Sequence, residues 1–338
     1  MSRVLEKDVA ASLTAGNPID AYNDIAQLFT TIPTGRFLEL EILGKSHPFP
    51  DGCSVLRDGC EAAVSKTGLV QAFIVARQVL TDHIDASDDE LLVGTAVILL
   101  MDPEHLTAAN TRKRVLQRKL ASGDRDVATF LEREKQFLDS LLTSRLHRHT
   151  KSPTLWGHLQ WLLRISCSQG LHPDVLGDIT SVVMVAGERH PRNYYAWGHA
   201  RFLVQTASKI PGEELLSAVK FFCFQHHTDT SGWSFLVFLL NYMPLSSSKT
   251  CGMVFDEVMD LVISLRLTNE SVWVFLRTLA ASSLIEEEKY LGFAKVGMKL
   301  LGTSSPTSQG VLRSALEWCN LHRITAQPPH STVVQGVP

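Results

Sequence analysis

The stretch His190–Val204, "HPRNYYAWGHARFLV", decides the fold of this chain of 338 residues. It opens with a proline and a basic residue, passes through Asn193 and two tyrosines to a tryptophan, and then becomes apolar. The same layout recurs, imperfectly copied, about every 40 residues, a spacing typical of helical repeats. The repeat-core positions are Trp156, Trp197, Trp233 and Trp273. Regular recurrence of one local pattern predicts a chain built from equivalent units.

A helix is predicted to begin just before each of these tryptophans. Four positions earlier stands a Ser, Asn or Asp, the residue types preferred as helix N-caps because the side-chain oxygen accepts a hydrogen bond from a free backbone N–H. These positions are Ser152, Asn193, Asp229 and Asn269. After each tryptophan, apolar residues and His cover more than half of the helix circumference. Each helix must therefore contact neighbours on two sides.

Amphipathic segments between the tryptophan helices predict partner helices. Their apolar residues recur with helical period, and prolines such as Pro191 and Pro211 stand at the junctions. The segments are Leu131–Leu146, Asp174–Arg189, Gly212–His227 and Phe255–Leu267. Helices that alternate in this way predict an all-α fold, an α-α superhelix in which antiparallel helical hairpins form a solenoid.

The repeats are predicted to occupy residues 91–325. A degenerate first unit at Asp102–Leu120 has Ala109 in the place of the tryptophan, and a last unit is expected around Trp318. Residues 1–90 carry no clear copy of the repeat and are predicted to be an N-terminal helical extension, with a short strand at Phe37–Leu43. Residues 326–338 are polar and contain prolines, which predicts a disordered tail.

Composition argues against several classes of partner. The formal net charge is −3, so no overall field draws the chain to nucleic acid or to an anionic membrane. The longest apolar runs, Leu91–Met101 and Trp233–Met243, are shorter than the ~20 residues that span a bilayer, so no membrane insertion is expected. The six cysteines form no CxxC pair, and the N-terminus lacks the apolar core of a signal peptide. We therefore expect free, buried thiols and a cytoplasmic protein.

Neither the histidines nor the basic residues predict a separate site. His147–His149, and His226 and His227 with Asp229, lie at predicted helix ends and lack the spacing of structural zinc ligands, so no metal is expected in this chain. The basic segment Thr111–Leu120 is interpreted as a solvated helix face rather than a phosphate-contacting or nuclear-localisation segment. No P-loop, GxGxxG, GxSxG or HExxH motif occurs, so we expect no stand-alone active site.

The repeat resembles that of the protein prenyltransferase α subunits, and most closely the branch of prenyltransferase α-subunit repeat-containing proteins. The second unit matches best, at Asn193, Tyr194, Ala196, Trp197, His199, Phe202 and Leu203, and the first unit matches at Trp156, His158, Trp161 and Leu162. The resemblance covers roughly residues 102–279. One column departs from the family, which often has Arg three positions after the tryptophan. The residues there are Leu159, Ala200, Leu236 and Leu276.

What the resemblance implies is a subunit that is inactive alone. In that family the α subunit wraps a catalytic β subunit, which holds the zinc, so this chain itself is expected to bind no cofactor. The enzyme would transfer an isoprenoid, here expected to be geranylgeranyl, from its diphosphate to a cysteine of a protein substrate. The expected partners are therefore the β subunit, the substrate protein and the isoprenoid diphosphate.

The resemblance also assigns site residues. A family lysine near the diphosphate directly precedes Asn-Tyr and maps onto Arg192, so Arg192 and Tyr194 are the expected catalytic residues. Asn193, His199 and Arg201 are the expected substrate-binding residues. From the residues alone, simpler interpretations stay open: Arg192 as a solvated loop residue, Asn193 as an N-cap and Tyr194 as a packing residue.

A second function also stays open. Helical-hairpin solenoids commonly bind other proteins along one face, and a repeat that has lost the family arginines fits a non-enzymatic scaffold.

Overall fold

The computed structural model describes residues 17–33, 35–44, 46–82, 86–122, 126–242 and 248–323. By internal packing the chain divides into two compact units, residues 1–210 and residues 211–338. The boundary falls inside the predicted repeat region, between the second and third tryptophan helices. The predicted tail at residues 326–338 lies outside the described residues.

The described part of unit 1 starts with a helix, a small sheet and a second helix. The elements are α1 (Pro18–Thr30), β1 (Glu39–Leu43), β2 (Val55–Asp58), β3 (Glu61–Ser65) and α2 (Lys66–Thr81). The strand order is β1-β3-β2, with β1 parallel and β2 antiparallel to β3. β1 lies within the predicted strand, whereas β2 and β3 were not predicted. They form a hairpin through Gly59 and Cys60, and Gly59 takes the positive φ of 57° that such tight turns require.

The rest of unit 1 is helical. The elements are α3 (Asp88–Met101), α4 (Leu106–Ala121), α5 (Val127–Leu142), α6 (His147–Thr150), α7 (Pro153–Ser168), α8 (Val175–Asp178), a π-helical turn (Ile179–Val183), α9 (Met184–Arg189) and α10 (Tyr194–Thr206). The helices α4, α7 and α10 pack side by side in sequence order, α5 packs against α7, and the π-helical turn packs against α10. Each tryptophan helix thus contacts neighbours on two sides, as predicted.

The described residues of unit 2, 211–242 and 248–323, repeat the same arrangement with three helical pairs. The elements are α11 (Gly212–Gln225), α12 (Thr230–Tyr242), α13 (Ser248–Leu265), α14 (Glu270–Ala280), α15 (Glu287–Leu301) and α16 (Pro306–His322). Each odd-numbered helix packs against the next helix in the chain, and α12, α14 and α16 pack in order against one another. The predicted all-α fold of helical-hairpin repeats is confirmed. Within the described residues, no helix combines the length and the apolar character needed to cross a bilayer.

The predicted caps set the start of the tryptophan helices. Ser152 accepts from the backbone N–H of Leu155 over 3.1 Å, Asn193 from Ala196 over 3.2 Å, and Asp229 from Gly232 over 2.9 Å. His105 plays the same part in the degenerate first unit, because its Nδ1 accepts from the N–H of Ala108. Asn269 occupies the cap position of α14 without a side-chain cap bond.

The tryptophans occupy equivalent surroundings. All four are at most 2% exposed. Nε1 of Trp156 donates to the carbonyl of Thr150 over 2.8 Å, and Nε1 of Trp273 donates to that of Leu267 over 2.9 Å. In both cases the acceptor stands two residues before the cap position. The equivalence of the units is therefore visible in single hydrogen bonds.

The last unit departs from its predicted register. The pair α15–α16 is present, but Trp318 lies near the end of α16 rather than one turn after its cap, and its ring stacks on His322 at 4.5 Å. The cap of α16 is Ser305, which accepts from the N–H of Ser308. The core position thus falls at Gln309, consistent with an end unit that faces water on one side.

The cysteines are free thiols, and three of them are buried. Cys223, Cys251 and Cys319 lie in the core, whereas Cys53 is exposed and the other two are half-buried, so the prediction of uniformly buried thiols was wrong. Burial raises the pKa of Cys319 to about 11 and that of Cys223 well above its usual value, so both are protonated and unreactive at neutral pH.

Candidate functional site

The loop before α10 presents Arg192 at the protein surface. Arg192 is exposed and has a φ of 60°, in the left-handed region that residues other than glycine rarely adopt. The loop is held in place by Nζ of Lys151, which donates to the carbonyl of Pro191 over 3.1 Å. The chain turns sharply at Arg192 and enters the helix at its cap, Asn193.

Two tyrosines follow on the same surface. Tyr194 is 74% exposed and Tyr195 40% exposed, and their rings meet edge to face with centroids 5.6 Å apart. Arg201 lies about two helical turns after the tyrosines, where its charge interacts with Tyr194 and its Nη1 donates to the carbonyl of Trp197 over 3.3 Å. Partial burial lowers the pKa of Arg201, but an arginine stays protonated at neutral pH.

We refer to these surface residues as the Arg192 patch, which consists of Lys151, Arg192, Tyr194, Tyr195 and Arg201. The patch combines three cations with two exposed phenol rings. Cations of this kind bind oxyanions, and arginine does so with a planar fork that fits two phosphate oxygens. The geometry therefore supports contact with an anionic ligand or with the surface of a partner.

The helix start itself has little capacity left for an anion. The N–H of Tyr194 donates to the carbonyl of Arg192, that of Trp197 to the carbonyl of Asn193, and that of Ala196 to the Asn193 side chain. Three of the first four N–H groups of α10 are thus bonded within the protein. The attraction of the patch for anions rests mainly on its side-chain charges.

Asn193 lies inside the protein and does not reach the patch. It is 0% exposed, its Oδ1 accepts from Ala196, and its Nδ2 donates to the carbonyl of Thr150 over 2.7 Å. Both ends of the amide are therefore engaged in the fold. The simpler interpretation, a helix cap, describes the observed contacts of Asn193.

His199 is also inside the protein, at 1% exposure. Its ring lies 5.2 Å from that of Trp156 and 5.9 Å from that of Phe202. Trp233 packs in the same way against Phe275, the residue two positions after the next tryptophan, at 5.1 Å. In these two units the residue two positions after the tryptophan thus packs on the tryptophan of the preceding helix, and His199 is enclosed there rather than at the surface.

A buried ion pair that the sequence did not predict links α4 to α5. Nε and Nη2 of Arg112 donate to the two carboxylate oxygens of Glu134 over 2.8 and 2.6 Å, and Nη1 donates to Oγ1 of Thr95 over 3.1 Å. Arg112 and Glu134 are 5% and 3% exposed. Burial alone would raise the pKa of Glu134, but the Arg112 guanidinium more than offsets it, so the pKa is lowered. The charge is fixed in place as a cross-link.

This ion pair corrects the interpretation of Thr111–Leu120 as a solvated helix face. Arg112 stands three and four residues before Val115 and Leu116, which are both buried, so it shares their side of α4. A single cation on the apolar side of a helix was the signal in the sequence. Its partner, Glu134, could not be identified from the sequence, because the two are 22 residues apart.

A second buried cluster joins α5 to α8. Nζ of Lys135 lies 2.7 Å from Oδ2 of Asp139 and 2.7 Å from Oδ1 of Asp178, directly before the π-helical turn. Burial raises the pKa of Asp139 to about 6, and the two carboxylates raise the pKa of Lys135 despite its burial. A lysine held between two carboxylates is a fixed cation, so this cluster supplies no proton donor at neutral pH.

Residues of the two histidine clusters make contacts within the protein. Nε2 of His149 bonds the carbonyls of Leu99 and Leu100, and burial lowers the pKa of His149 to about 4. His147 packs edge to face on His190, and His226 packs on Phe222 at 4.4 Å. Among the residues that the structure describes, no group of three or more His, Cys, Asp or Glu side chains is placed to hold a metal ion.

Comparison with known proteins supports the family resemblance inferred from the repeat motif. Residues 155–262 match the ECM9 middle domain family. The chain is 29% identical over 185 residues to Protein ECM9 of Saccharomyces cerevisiae, covering 53% of this chain and 48% of that protein. It is 27% identical over 172 residues to protein prenyltransferase alpha subunit repeat-containing protein 1 of Homo sapiens, covering 45% and 40%.

A third relative is named as the subunit of an enzyme. The chain is 27% identical over 201 residues to the geranylgeranyl transferase type-2 subunit alpha of Bos taurus, covering 57% of this chain and 34% of that subunit. The chain spans about half or less of the length of each of these relatives. The resemblance inferred from the repeat motif is confirmed: the chain is related to the prenyltransferase α-subunit repeat-containing proteins and ECM9, and distantly to an α subunit of geranylgeranyl transferase.

Proposed function

We propose that the chain is the α-type, non-zinc-binding subunit of a heterodimeric protein prenyltransferase. In this proposal it is inactive alone and joins a β subunit that binds zinc and the isoprenoid diphosphate, here geranylgeranyl diphosphate. The observation that carries the proposal is the exposure of Arg192 and Tyr194 at the start of α10, at the position of the family lysine. The relationship to a geranylgeranyl transferase subunit supports it.

Arg192 would act on the leaving group. In prenyl transfer the substrate thiolate attacks the first isoprenoid carbon, a carbon–sulfur bond forms, the carbon–oxygen bond breaks and diphosphate leaves with its electron pair. Zinc in the β subunit would lower the pKa of the acceptor thiol. A guanidinium neutralises charge that develops on phosphate oxygens, and Arg192 is exposed and held by its loop to do so. Tyr194 stands next to it as a second donor.

In this proposal two of the expected substrate-binding residues, Asn193 and His199, do not bind the substrate. Asn193 and His199 position α10 through the buried contacts described above, so they act through the helix rather than on the substrate. Arg201 is half-buried beside Tyr194 and adds positive charge to the Arg192 patch. We expect a cytosolic location, since the cysteines are free thiols.

The test is reconstitution with candidate β subunits. The full chain is co-expressed with each, and the purified complex is assayed for transfer of labelled geranylgeranyl to a protein with an acceptor cysteine. We expect Arg192→Ala to lower kcat by roughly tenfold to a hundredfold with the complex intact, and Arg192→Lys to retain most activity. Arg266→Ala is the matched control, because Arg266 is also exposed and has a φ of 50°.

A non-enzymatic scaffold is the second candidate, and one observation favours it. The four residues three positions after the tryptophans, where the family often has arginine, are buried apolar residues of at most 1% exposure. The array therefore lacks the arginines that the family often has there, which fits a helical-repeat scaffold that binds other proteins along its surface. Failure to form a complex or to transfer the isoprenoid with any β subunit, together with capture of partners unrelated to prenylation, would favour the scaffold.

A further inference from the structure

A basic groove of about 740 Å³ lies between α2 and α4 in unit 1. We call it the arginine groove. Its polar lining consists mainly of Arg77, His105, Thr107, Thr111, Arg114 and Arg118. The volume is in the range of sites that hold small ligands. None of these residues belongs to the Arg192 patch, so the inference does not depend on the proposed function.

One face of α4 supplies most of the lining. Thr107, Thr111, Arg114 and Arg118 are spaced four, three and four residues apart, which places their side chains in one row along the helix. Arg112 and the buried Val115 and Leu116 lie on another side of α4 and do not line the groove. The basic segment of α4 is therefore divided between a core ion pair and a surface groove.

The groove has more positive charge than its own carboxylate neutralises. Arg118 pairs with Asp88, which also lines the groove. Within the part of the chain that the structure describes, Arg77 and Arg114 make no salt bridge. Among the described residues, Arg114 makes two long contacts on its own helix, from Nε to the Asn110 carbonyl at 3.3 Å and from Nη2 to Oγ1 of Thr111 at 3.4 Å. If the guanidinium of Arg114 turned towards a ligand, it would therefore lose only these two long, weak hydrogen bonds.

The remaining donors are suited to a tetrahedral oxyanion. His105 uses Nδ1 to accept from Ala108, so the neutral ring has its proton on Nε2 and can donate through it. Thr107 and Thr111 add hydroxyl groups. Arginine forks, hydroxyls and an imidazole N–H on converging elements are the donor set that phosphate groups use, because each phosphate offers several oxygens at once.

We propose that the arginine groove binds a diphosphate or a pair of neighbouring phosphate groups. Arg77 from α2 and Arg114 from α4 are the principal ligands, and Arg118 and the threonine hydroxyls complete the contacts. Two cations from separate helices with one internal carboxylate favour a ligand of at least two negative charges over a monoanion. Open access to the groove lets the phosphates belong to a soluble ester or to a lipid headgroup.

The experiment is isothermal titration of the full chain with inorganic pyrophosphate at constant ionic strength. We expect saturable binding of one pyrophosphate, with sulfate much weaker. The double variant Arg77→Gln/Arg114→Gln should lower the affinity by about tenfold or more. Arg133→Gln, which changes an exposed arginine of α5 outside the groove, should bind as the wild type does. Thermal melts of each variant check that the fold is retained.

Sedimentation with vesicles identifies the source of the phosphates. Phosphatidylcholine vesicles with and without phosphatidylinositol 4,5-bisphosphate, whose two ring phosphates are neighbours, are compared with pyrophosphate in solution, and lipid-dependent sedimentation that the double variant abolishes assigns a headgroup. The proposal is overturned by three outcomes: no saturable binding of pyrophosphate and no phosphoinositide-dependent sedimentation, equal binding of sulfate, or undiminished binding by a folded double variant.

Discussion

At the scale of single residues, His199 is a neutral ring enclosed by the repeat. Burial lowers its pKa to about 3, and the charge of Lys135 adds to the effect. Nδ1 of His199 has no hydrogen-bond partner among the described residues. In the equivalent position of two other units the chain has Phe235 and Phe275. The fold therefore uses His199 as an aromatic ring rather than as a base.

We predict that His199 makes the protein less stable in acid. Its folded pKa lies below the unfolded value of 6.5, so its contribution is fully present above pH 6.5 and is lost as the pH falls towards 3. Between pH 6.5 and about pH 5 the loss is on the order of 2 kcal/mol. The variant His199→Phe should lose less stability over this interval, as measured by urea unfolding at both pH values. Equal losses in wild type and variant would contradict this account.

At the scale of elements, three tryptophan helices, α7, α10 and α14, are tied to the helical unit before them by a hydrogen bond from their cap region. Ser152 donates to the carbonyl of Pro103 over 3.2 Å, and Asn193 to that of Thr150 over 2.7 Å. Both acceptors stand two residues before the preceding cap. In unit 2 the hydroxyl of Ser271 donates to the corresponding carbonyl, that of His227. The cap region thus starts one helix and fixes its position against another.

We expect the two asparagine caps to differ in what they contribute. Asn193→Ala removes the cap bond to Ala196 and the bond to Thr150, so it should destabilise the protein by about 2 kcal/mol. Asn269→Ala is the control, because Asn269 makes no side-chain cap bond, and it should cost less than about 0.5 kcal/mol. Chemical denaturation of both variants measures the difference. Equal costs would show that the side-chain bonds of Asn193 add nothing.

At the scale of the whole molecule, the tryptophans make the units equivalent without making them identical. Trp273 donates through Nε1 to Leu267, whereas Nε1 of Trp233 is buried with no acceptor among the described residues. Both indoles belong to unit 2 and are at most 1% exposed. The shape of the indole is the common requirement of the array, and its hydrogen bond is an addition at particular units.

This difference predicts unequal effects of the same substitution. Trp273→Phe leaves the Leu267 carbonyl without its indole donor, whereas Trp233→Phe removes a polar group that had no acceptor. We therefore expect Trp273→Phe to destabilise the protein by about 1 kcal/mol more than Trp233→Phe. Urea midpoints, compared at equal slope, measure the difference. A larger loss for Trp233→Phe would contradict it.

The repeat could be predicted from sequence because its signals are local. A cap, a tryptophan and a helical apolar period fall within a few residues, and the structure has helices where they indicated. Arg112 with Glu134, and Lys135 with its two carboxylates, could not be predicted, because the partner of a buried charge is chosen by packing between distant segments. The β2–β3 hairpin had a local signal, the Asp58–Gly59 pair, which is typical of tight turns.

The candidate site likewise has parts that local sequence signals predict and parts that depend on packing between distant segments. The position of Arg192 at the surface followed from its place before a cap, whereas the interior positions of Asn193 and His199 depend on the preceding unit. A residue can match a family motif because it packs in the core or because it binds a ligand. The position of the neighbouring helix is needed to tell these two roles apart. Three of the five expected site residues, Arg192, Tyr194 and Arg201, therefore belong to the Arg192 patch.

The carbonyls of Pro103, Thr150 and His227 have one further consequence. They are main-chain atoms, so no point mutation can delete them, and the donor from the next helix is a serine in two cases and an asparagine in the third. The donor residue can therefore change during evolution while the hydrogen bond between the two helical units is kept. At the 27–30% identity between this chain and these relatives, exchange of the donor is thus compatible with an unchanged stacking of the helices.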